Sequence, residues 1–249
     1  MNMLKNCIVV LTGGTSFLGS EIAIRLAQEG AHIIFTYLEQ HQKGKEVIEK
    51  IYACGGSGEM VKVNLLDADE VHACFDFIQE KHGLIDVLIN NAGIGEPEQT
   101  DRLSIEKWNK HLSLNLTAPF LCIQRSIDML KKSHYKKIIN ISSVAALTGG
   151  SFGAHYAASK AGLIGLTKSI AKDYGKWGIT ANVVAPGPIQ SEMTDSLGTE
   201  VLTKLMDATP QGRLGLPQEV SELVCQLINP KVNYITGQTI VIDGGRYMV

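Results

Sequence analysis

No run of 18 apolar residues occurs anywhere in the 249-residue chain, so no membrane-spanning helix is expected. The first apolar strand begins without a separate basic leader and apolar segment ahead of it, and the expectation is a soluble, cytoplasmic protein. Cysteine is scarce and scattered: Cys7, Cys54, Cys74, Cys122 and Cys225 form no Cys-x-x-Cys or Cys/His spacing. That excludes a disulfide framework and predicts reduced core thiols and no metal. Neither sign of charge is in excess, with 23 Lys and Arg against 25 Asp and Glu, so nothing draws the chain toward nucleic acid or a membrane surface. Pro/Ser-rich linkers and long charge runs are missing too, which leaves one domain over 1–249 and a small molecule as the default partner.

What is present is a regular alternation. Cys7 to Leu11 is a short apolar run followed by Thr12-Gly-Gly-Thr-Ser-Phe-Leu-Gly19 and then by a segment from Ser20 to Gly30 with helical apolar spacing. Strand, glycine turn and helix in that order bring backbone N–H groups and a helix N-terminus to a pyrophosphate. Gly13, Thr15, Ser16, Phe17, Leu18 and Gly19 are therefore candidate dinucleotide contacts. Ala31 to Tyr37 is a second strand, and its end is where an acid would hold the adenosine ribose of NAD. Tyr37 stands there instead, with Glu39 two residues on and His41, Lys43 and Lys45 close behind; this favours NADP(H), with NAD(H) open.

Lys45 to Cys54 reads as a second helix and Glu59 to Val63 as a third strand, with Asn64 and Leu65 placed for an adenine ring. Asp67 caps a helix closed by Gly83. Ile85 to Ile89 is a fourth strand delivering Asn91, Ala92 and Gly93, after Asn90, to the edge that carries the glycine loop. Ser104 caps the next helix, in which Pro119 removes the N–H that would bond the Asn115 carbonyl; a local distortion is expected there, with Asn115 either buried and partnered or on a partly exposed face. Strands at Lys137–Ser142, Gly178–Ala185 and Gln238–Asp243 and a helix over Pro217–Asn229 complete the pattern. Strands alternating with helices throughout predict an α/β fold: a doubly wound Rossmann-like domain with a seven-stranded parallel sheet. The segment 190–213 lacks periodicity and is expected to be a substrate lid or a surface loop.

The chain is organised around Ser143 to Lys160. A helix beginning near His155 sets Tyr156 and Lys160 at i and i+4, on one face. A hydride delivered to a carbonyl carbon leaves an alkoxide that needs a proton. A phenol with a pKa of about 10 can supply it near neutrality only if a cation lowers that value; Lys160 is that cation. Ser143, 13 residues before the tyrosine, is the hydroxyl that holds the substrate oxygen, with Ser142 its competitor.

These residues together, Thr12-Gly13 to Gly19, Asn90-Asn-Ala-Gly93, Asn115, Ser143, Tyr156-x-x-x-Lys160 and Pro186-Gly187, make the chain resemble the short-chain dehydrogenase/reductase family over its whole length. The resemblance implies that Tyr156 is the acid/base, that Lys160 lowers its pKa and binds the nicotinamide ribose, that Ser143 orients substrate and that Asn115 holds a water in a proton relay. It places Pro186, Gly187 and Ile189 at the nicotinamide, and it implies a homotetramer. Within the family the sequence is similar to 3-oxoacyl-(acyl-carrier-protein) reductases, through Gly212-Arg-Leu-Gly215, Pro217-Gln-Glu-Val220 and the segment from Ile235 to Val249. An acyl thioester substrate and an acyl carrier protein partner follow from that. Two departures stand out. Phe17 takes the place of the middle glycine of the family loop, with its ring expected to pack against Leu18 and Ile22 and turn away from the dinucleotide. His134 and Trp177 stand where such reductases carry basic docking residues, with Lys131, Lys132, Lys136, Lys137 and Lys176 nearby as substitutes. A free alcohol or ketone as substrate, and a non-catalytic dinucleotide-binding regulator, are the alternatives. An enoyl reductase would carry lysine seven residues after the tyrosine, where Leu163 stands.

Overall fold

The computed structural model describes residues 3–248. Among them, seven parallel strands form one sheet in the order β3-β2-β1-β4-β5-β6-β7: β1 (Ile8–Leu11), β2 (His32–Tyr37), β3 (Ser57–Lys62), β4 (Val87–Asn90), β5 (Lys137–Ile141), β6 (Thr180–Pro186) and β7 (Thr239–Ile242). Each strand contributes side chains alternately to two cores, as a pleat of period two requires. Val9, Leu11, Ile33, Phe35, Val87 and Ile89 face one layer. There they meet α1 (Phe17–Gln28), α2 (His41–Ala53) and α10 (Pro217–Leu227). Val10, Ile34, Leu88 and Ile138 face the other, against α3 (Ala68–His82), α5 (Ala118–Lys132) and α7 (Ala154–Tyr174). A sheet covered on both faces explains why its strands read as near-continuous apolar runs.

The order reverses between β1 and β4, and the crevice opened there at the carboxyl ends of the strands is where such sheets bind ligands. Local signals set the elements around it. Asp67 accepts from the N–H groups of Asp69 and Glu70 at the start of α3, and Gly83 ends it with φ of 75°. Ser104 caps α4 (Ile105–Leu112) by accepting from the Lys107 N–H. The distortion expected before Pro119 is a π turn over Ser113–Thr117 that joins α4 to α5 without a break, and Asn115 within it is fully buried.

Some boundaries differ from the sequence reading. The second helix starts at His41, four residues earlier than the Lys45 start, and within it Gly44 faces Met60, whose Sδ lies 2.8 Å from where a Cβ would stand. The segment 190–213 is not an irregular loop: it folds into α8 (Glu192–Asp195) and α9 (Thr199–Asp207), the first capped by Ser191, whose hydroxyl accepts from the Thr194 N–H. Short helices of one and two turns leave too few apolar repeats for periodicity to reveal. A four-residue helix α6 (Ala145–Thr148) also stands between β5 and α7.

Candidate active site

The crevice holds a cavity of 580 Å³, within the range of small-molecule sites. Its floor is the glycine loop after β1. Gly13 has φ of 68°, and a Cβ on it would lie 3.0 Å from the Ala92 Cα, so the loop and the end of β4 touch backbone to backbone. The Thr12 hydroxyl ties them by accepting from the N–H groups of Asn91 and Ala92, both at 3.0 Å, while the Asn91 side chain donates to the carbonyls of Thr12 and Gly13. Ser16 caps α1, its hydroxyl accepting from the Gly19 N–H at 3.0 Å. Thr15, Ser16, Phe17 and Leu18 line the cavity with Gly13. Gly19 lies behind them, where a Cβ would come within 2.2 Å of the Gly13 carbonyl oxygen.

Phe17 behaves differently from the expectation. It is the first residue of α1 and is not among the non-glycine residues of positive φ, so the loop meets the missing glycine by an ordinary helical backbone. Ring packing plays no such role: the residue is 44% exposed and lines the cavity rather than turning from it.

Tyr37, Asn64 and Leu65, the residues expected at the adenosine, line one part of the same cavity. Tyr37 is buried with its hydroxyl 2.6 Å from His41 Nδ1. Glu39 lines the cavity mouth. Lys43 reaches across to Glu192 of α8, 3.1 Å away, a link between the nucleotide end and the segment over the substrate end. Lys45 is exposed.

At the other end, Ser143 follows β5, and Tyr156 and Lys160 rise from α7. Both Ser143 and Tyr156 line the cavity. Ser142, its sequence competitor, is buried and donates to the Lys160 carbonyl 2.8 Å away, so its hydroxyl fastens α7 to the sheet. Lys160 Nζ lies 5.9 Å from the Tyr156 ring centroid and donates to the Ile141 carbonyl at 2.9 Å. Burial, with no carboxylate partner, lowers the lysine to about 8. Burial also pushes the phenol above its ordinary value, opposed by the nearby Ser143 side chain. The expected lowering of the tyrosine by the lysine is therefore not in place here: desolvation disfavours both charged forms, and the serine is the group that works against it.

Asn115 does not line the cavity but stands behind it. Its amide donates to the Ile94 carbonyl and to the Ser159 hydroxyl, both at 3.0 Å, and its Oδ1 accepts from the Ile94 N–H at 2.9 Å. Both amide hydrogens are thus spent on protein, and the side chain clamps the backbone beside Gly93, whose missing Cβ would lie 3.0 Å from Asn115 Oδ1 and 3.1 Å from Lys160 Nζ. Asn91, Ala92, Gly93, Pro186, Gly187 and Ile189 complete the walls near the lysine.

Sequence reasoning missed several residues here. His111 and His155 are wholly buried with ring centroids 4.0 Å apart. His155 Nε2 lies 3.1 Å from the Glu96 carbonyl, and the Glu96 N–H points to His111 Nε2 at 3.4 Å. Burial holds both imidazoles below their ordinary values, and the neutral pair pins the 94–98 segment beside Tyr156. An isolated histidine on an apolar face carries no signal of this in one sequence. Phe152, Met193, Leu197 and Leu205 give the cavity an apolar vestibule. A Cβ on Gly95 would meet Met193 Sδ at 3.0 Å, Phe152 at 3.2 Å and Tyr156 at 3.3 Å. The docking substitutes also sort out. Lys137 is buried, with Nζ 2.6 Å from both the Val232 carbonyl and Asn233 Oδ1, and is no surface cation. Lys131 and Lys176 lie 5.1 and 5.8 Å from the exposed Trp177 ring.

Residues 14–246 match the family model described as Enoyl-(Acyl carrier protein) reductase. The 3-oxoacyl-[acyl-carrier-protein] reductase FabG of Staphylococcus aureus is 39% identical over 248 residues, covering all of both chains. Among solved structures, a short-chain dehydrogenase/reductase from Serratia marcescens superposes with a TM-score of 0.91 at 32% identity, over 98% of each chain. A blue fluorescent protein from a metagenomic library, in complex with NADPH, gives the same TM-score at 31% identity over 98% of this chain and 99% of that one.

Proposed function

The chain belongs to the short-chain dehydrogenase/reductase family of NAD(P)-dependent oxidoreductases, and from that premise we propose that it is an NADPH-dependent reductase of 3-oxoacyl thioesters. The observation that carries the chemistry is that Ser143, Tyr156 and Lys160 line one cavity, with Lys160 Nζ 5.9 Å from the Tyr156 ring centroid. The carbonyl oxygen of a substrate is held between the Ser143 hydroxyl and the Tyr156 phenol, and Tyr156 Oη gives its proton to the developing alkoxide.

The glycine loop fits a dinucleotide: a Cβ at Gly13 or Gly19 would collide with the neighbouring backbone, and the α1 N-terminus presents unbonded N–H groups. Thr15 and Ser16 would hold the pyrophosphate, Asn64 and Leu65 the adenine, and Ile189 the carboxamide. When bound, the nicotinamide supplies the hydride. Lys160, within reach of Gly93 and Tyr156, would hold the ribose and favour the phenolate once a proton has left. Tyr37 in place of an acid offers no carboxylate at that position to repel a 2′-phosphate, and the NADPH-bound relative supports the same preference.

For the substrate, the full-length similarity to a 3-oxoacyl-[acyl-carrier-protein] reductase and the apolar vestibule under α8 and α9 support an acyl chain, with 190–213 acting as the lid. Leu163, buried seven residues after Tyr156, speaks against enoyl reduction. Lys131, Lys136 and Lys176 around Trp177 suit an acidic carrier protein, and a homotetramer is the expected assembly. His134 and Trp177, in place of basic docking residues, favour a free ketone as the second reading. Oxidation of NADPH and NADH with acetoacetyl thioesters and with a panel of free ketones tests both. The highest kcat/KM is expected for NADPH with the thioester; a free ketone turned over faster would replace the substrate class, and a preference for NADH would overturn the cofactor assignment.

A further inference from the structure

At the amino ends of the strands, opposite the cavity, two histidines and a glutamate from three elements meet. His32 opens β2, Glu59 lies on β3 and His82 ends α3. One ligand atom from each lies within 4.8 Å of the others. Glu59 Oε1 is 2.6 Å from His82 Nε2 and 3.6 Å from His32 Nε2, while Glu59 Oε2 is paired with Lys81. We propose that His32, Glu59 and His82 form a binding site for a divalent cation of the zinc class.

Three observations carry it. His32 Nε2 is a buried nitrogen without a hydrogen-bond partner, and it faces the carboxylate oxygen from just beyond bonding distance. An unpartnered buried polar atom calls for an explanation, and a cation accepted by its lone pair supplies one. The other ring nitrogen, Nδ1, lies 2.9 Å from the Ser57 hydroxyl, and Ser57 pairs with His32 across the β2–β3 register. In the tautomer that donates from Nδ1 to Ser57, Nε2 is the free ligand atom, the arrangement that orients metal-bound imidazoles elsewhere. Finally, the site opens on a cavity of 280 Å³ lined by Asn6, Gly30, His32, Ser57 and His82, so a hydrated ion has a way in.

Two imidazole nitrogens and one carboxylate oxygen suit Zn²⁺, Co²⁺, Ni²⁺ or Cu²⁺ rather than Mg²⁺ or Ca²⁺, and three protein ligands leave a fourth position for water. Metal–ligand bonds of about 2.0–2.1 Å imply ligand separations of about 3.3 Å in a tetrahedron. The 2.6 and 3.6 Å contacts straddle that value, and all three ligand atoms lie within 4.8 Å of one another, so side-chain rotation would close the site. In the ordinary alternative, an ion-pair network of His32, Lys81 and His82 around Glu59, His32 Nε2 stands 3.6 Å from the carboxylate, beyond hydrogen-bond reach.

The full-length protein, stripped with chelator and dialysed, is titrated with ZnCl₂ by calorimetry. One equivalent is expected at this site, absent from His82→Ala and His32→Ala, and bound about tenfold more weakly by Ser57→Ala, which loses the partner that orients His32. All variants are checked for retained NADPH binding, and His82→Gln replaces His82→Ala if the latter does not fold. With Cu²⁺ as probe, the electron paramagnetic resonance spectrum of the wild type reads the ligands directly, and hyperfine coupling to two nitrogens is expected. Equal Zn²⁺ binding by wild type and a His32→Ala/His82→Ala double variant, or a Cu²⁺ spectrum without nitrogen coupling, overturns the site.

Discussion

The half of the sheet built from β1, β2 and β3 and the half built from β4, β5 and β6 meet the same cavity by different means. In the first, buried strand residues are almost all apolar and the cavity is shaped by backbone: Gly14 and Gly19 leave room where a Cβ would strike Phe35 at 2.5 Å and the Gly13 carbonyl at 2.2 Å. In the second, polar side chains are buried and joined. Asn90 donates to Asn140 and Asn140 to Thr167, both at 2.8 Å, and Asn115, His111, His155, Ser159 and Lys160 are buried. A dinucleotide is gripped by N–H groups and shape, which need space. A proton donor needs its side-chain atoms held in place, which inside a protein takes a network of hydrogen bonds among its polar neighbours.

Separate means should produce separable damage. The largest effect is expected at the catalytic half: Tyr156→Phe removes the proton donor and should cut turnover by about 10²–10⁴-fold, with NADPH affinity unchanged in a fluorescence titration. Near-normal turnover with an accepted substrate would remove the division altogether. Lys160→Met sharpens it through pH. The folded lysine titrates at about 8 against an ordinary 10.5, so between those values the unfolded chain holds a proton that the folded one lacks, and stability rises with pH. Below about pH 8 the buried charge costs stability, by up to about 3 kcal/mol from a shift of that size. In denaturant titrations of the cofactor-free protein, the stability gained by Lys160→Met over wild type should shrink as pH rises from 8 to 10; a gap independent of pH would mean that the ammonium is not desolvated.

The nucleotide half should answer in the opposite currency. Gly19→Ala forces its loop apart and should lower unfolding free energy by about 1–3 kcal/mol, raising KM for the cofactor while kcat at saturation holds. A fall in kcat with unchanged KM would show the halves to be coupled through the Asn91 hydrogen bonds. The smallest effect is expected for Phe17→Gly, because the exposed ring supports no strained backbone; helix propensity alone costs about 0.5 kcal/mol. NADPH affinity should change by less than about fivefold, a difference of about 1 kcal/mol.

What could be read from residue order follows the same division. The glycine loop, the strand and helix alternation and the Tyr156/Lys160 spacing are local, and local spacing dictates them. Phe17 was misjudged because a family pattern says where glycine is usual, not whether the backbone there has positive φ. Lys137 read as a surface cation because no local signal reports that Val232 and Asn233 lie above it. The partners of Asn115 and of the His111/His155 pair come from segments 15 to 59 residues away in the chain, and α8 and α9 are too short to show a period. Contacts between distant segments are what one sequence withholds.

The π turn at Ser113–Thr117 has a consequence for how this protein can vary. A π turn holds one residue more than an α-helical turn, and one residue rotates everything beyond it by about 100°. From α4 through α5 the chain is a single rod whose two ends are out of phase by that angle. Composition is then the lesser constraint on this stretch and length the greater: many substitutions would leave His111 and Cys122 on their own faces, but deleting any one residue of the turn would bring one end round to the wrong neighbours. The rod keeps its function by counting.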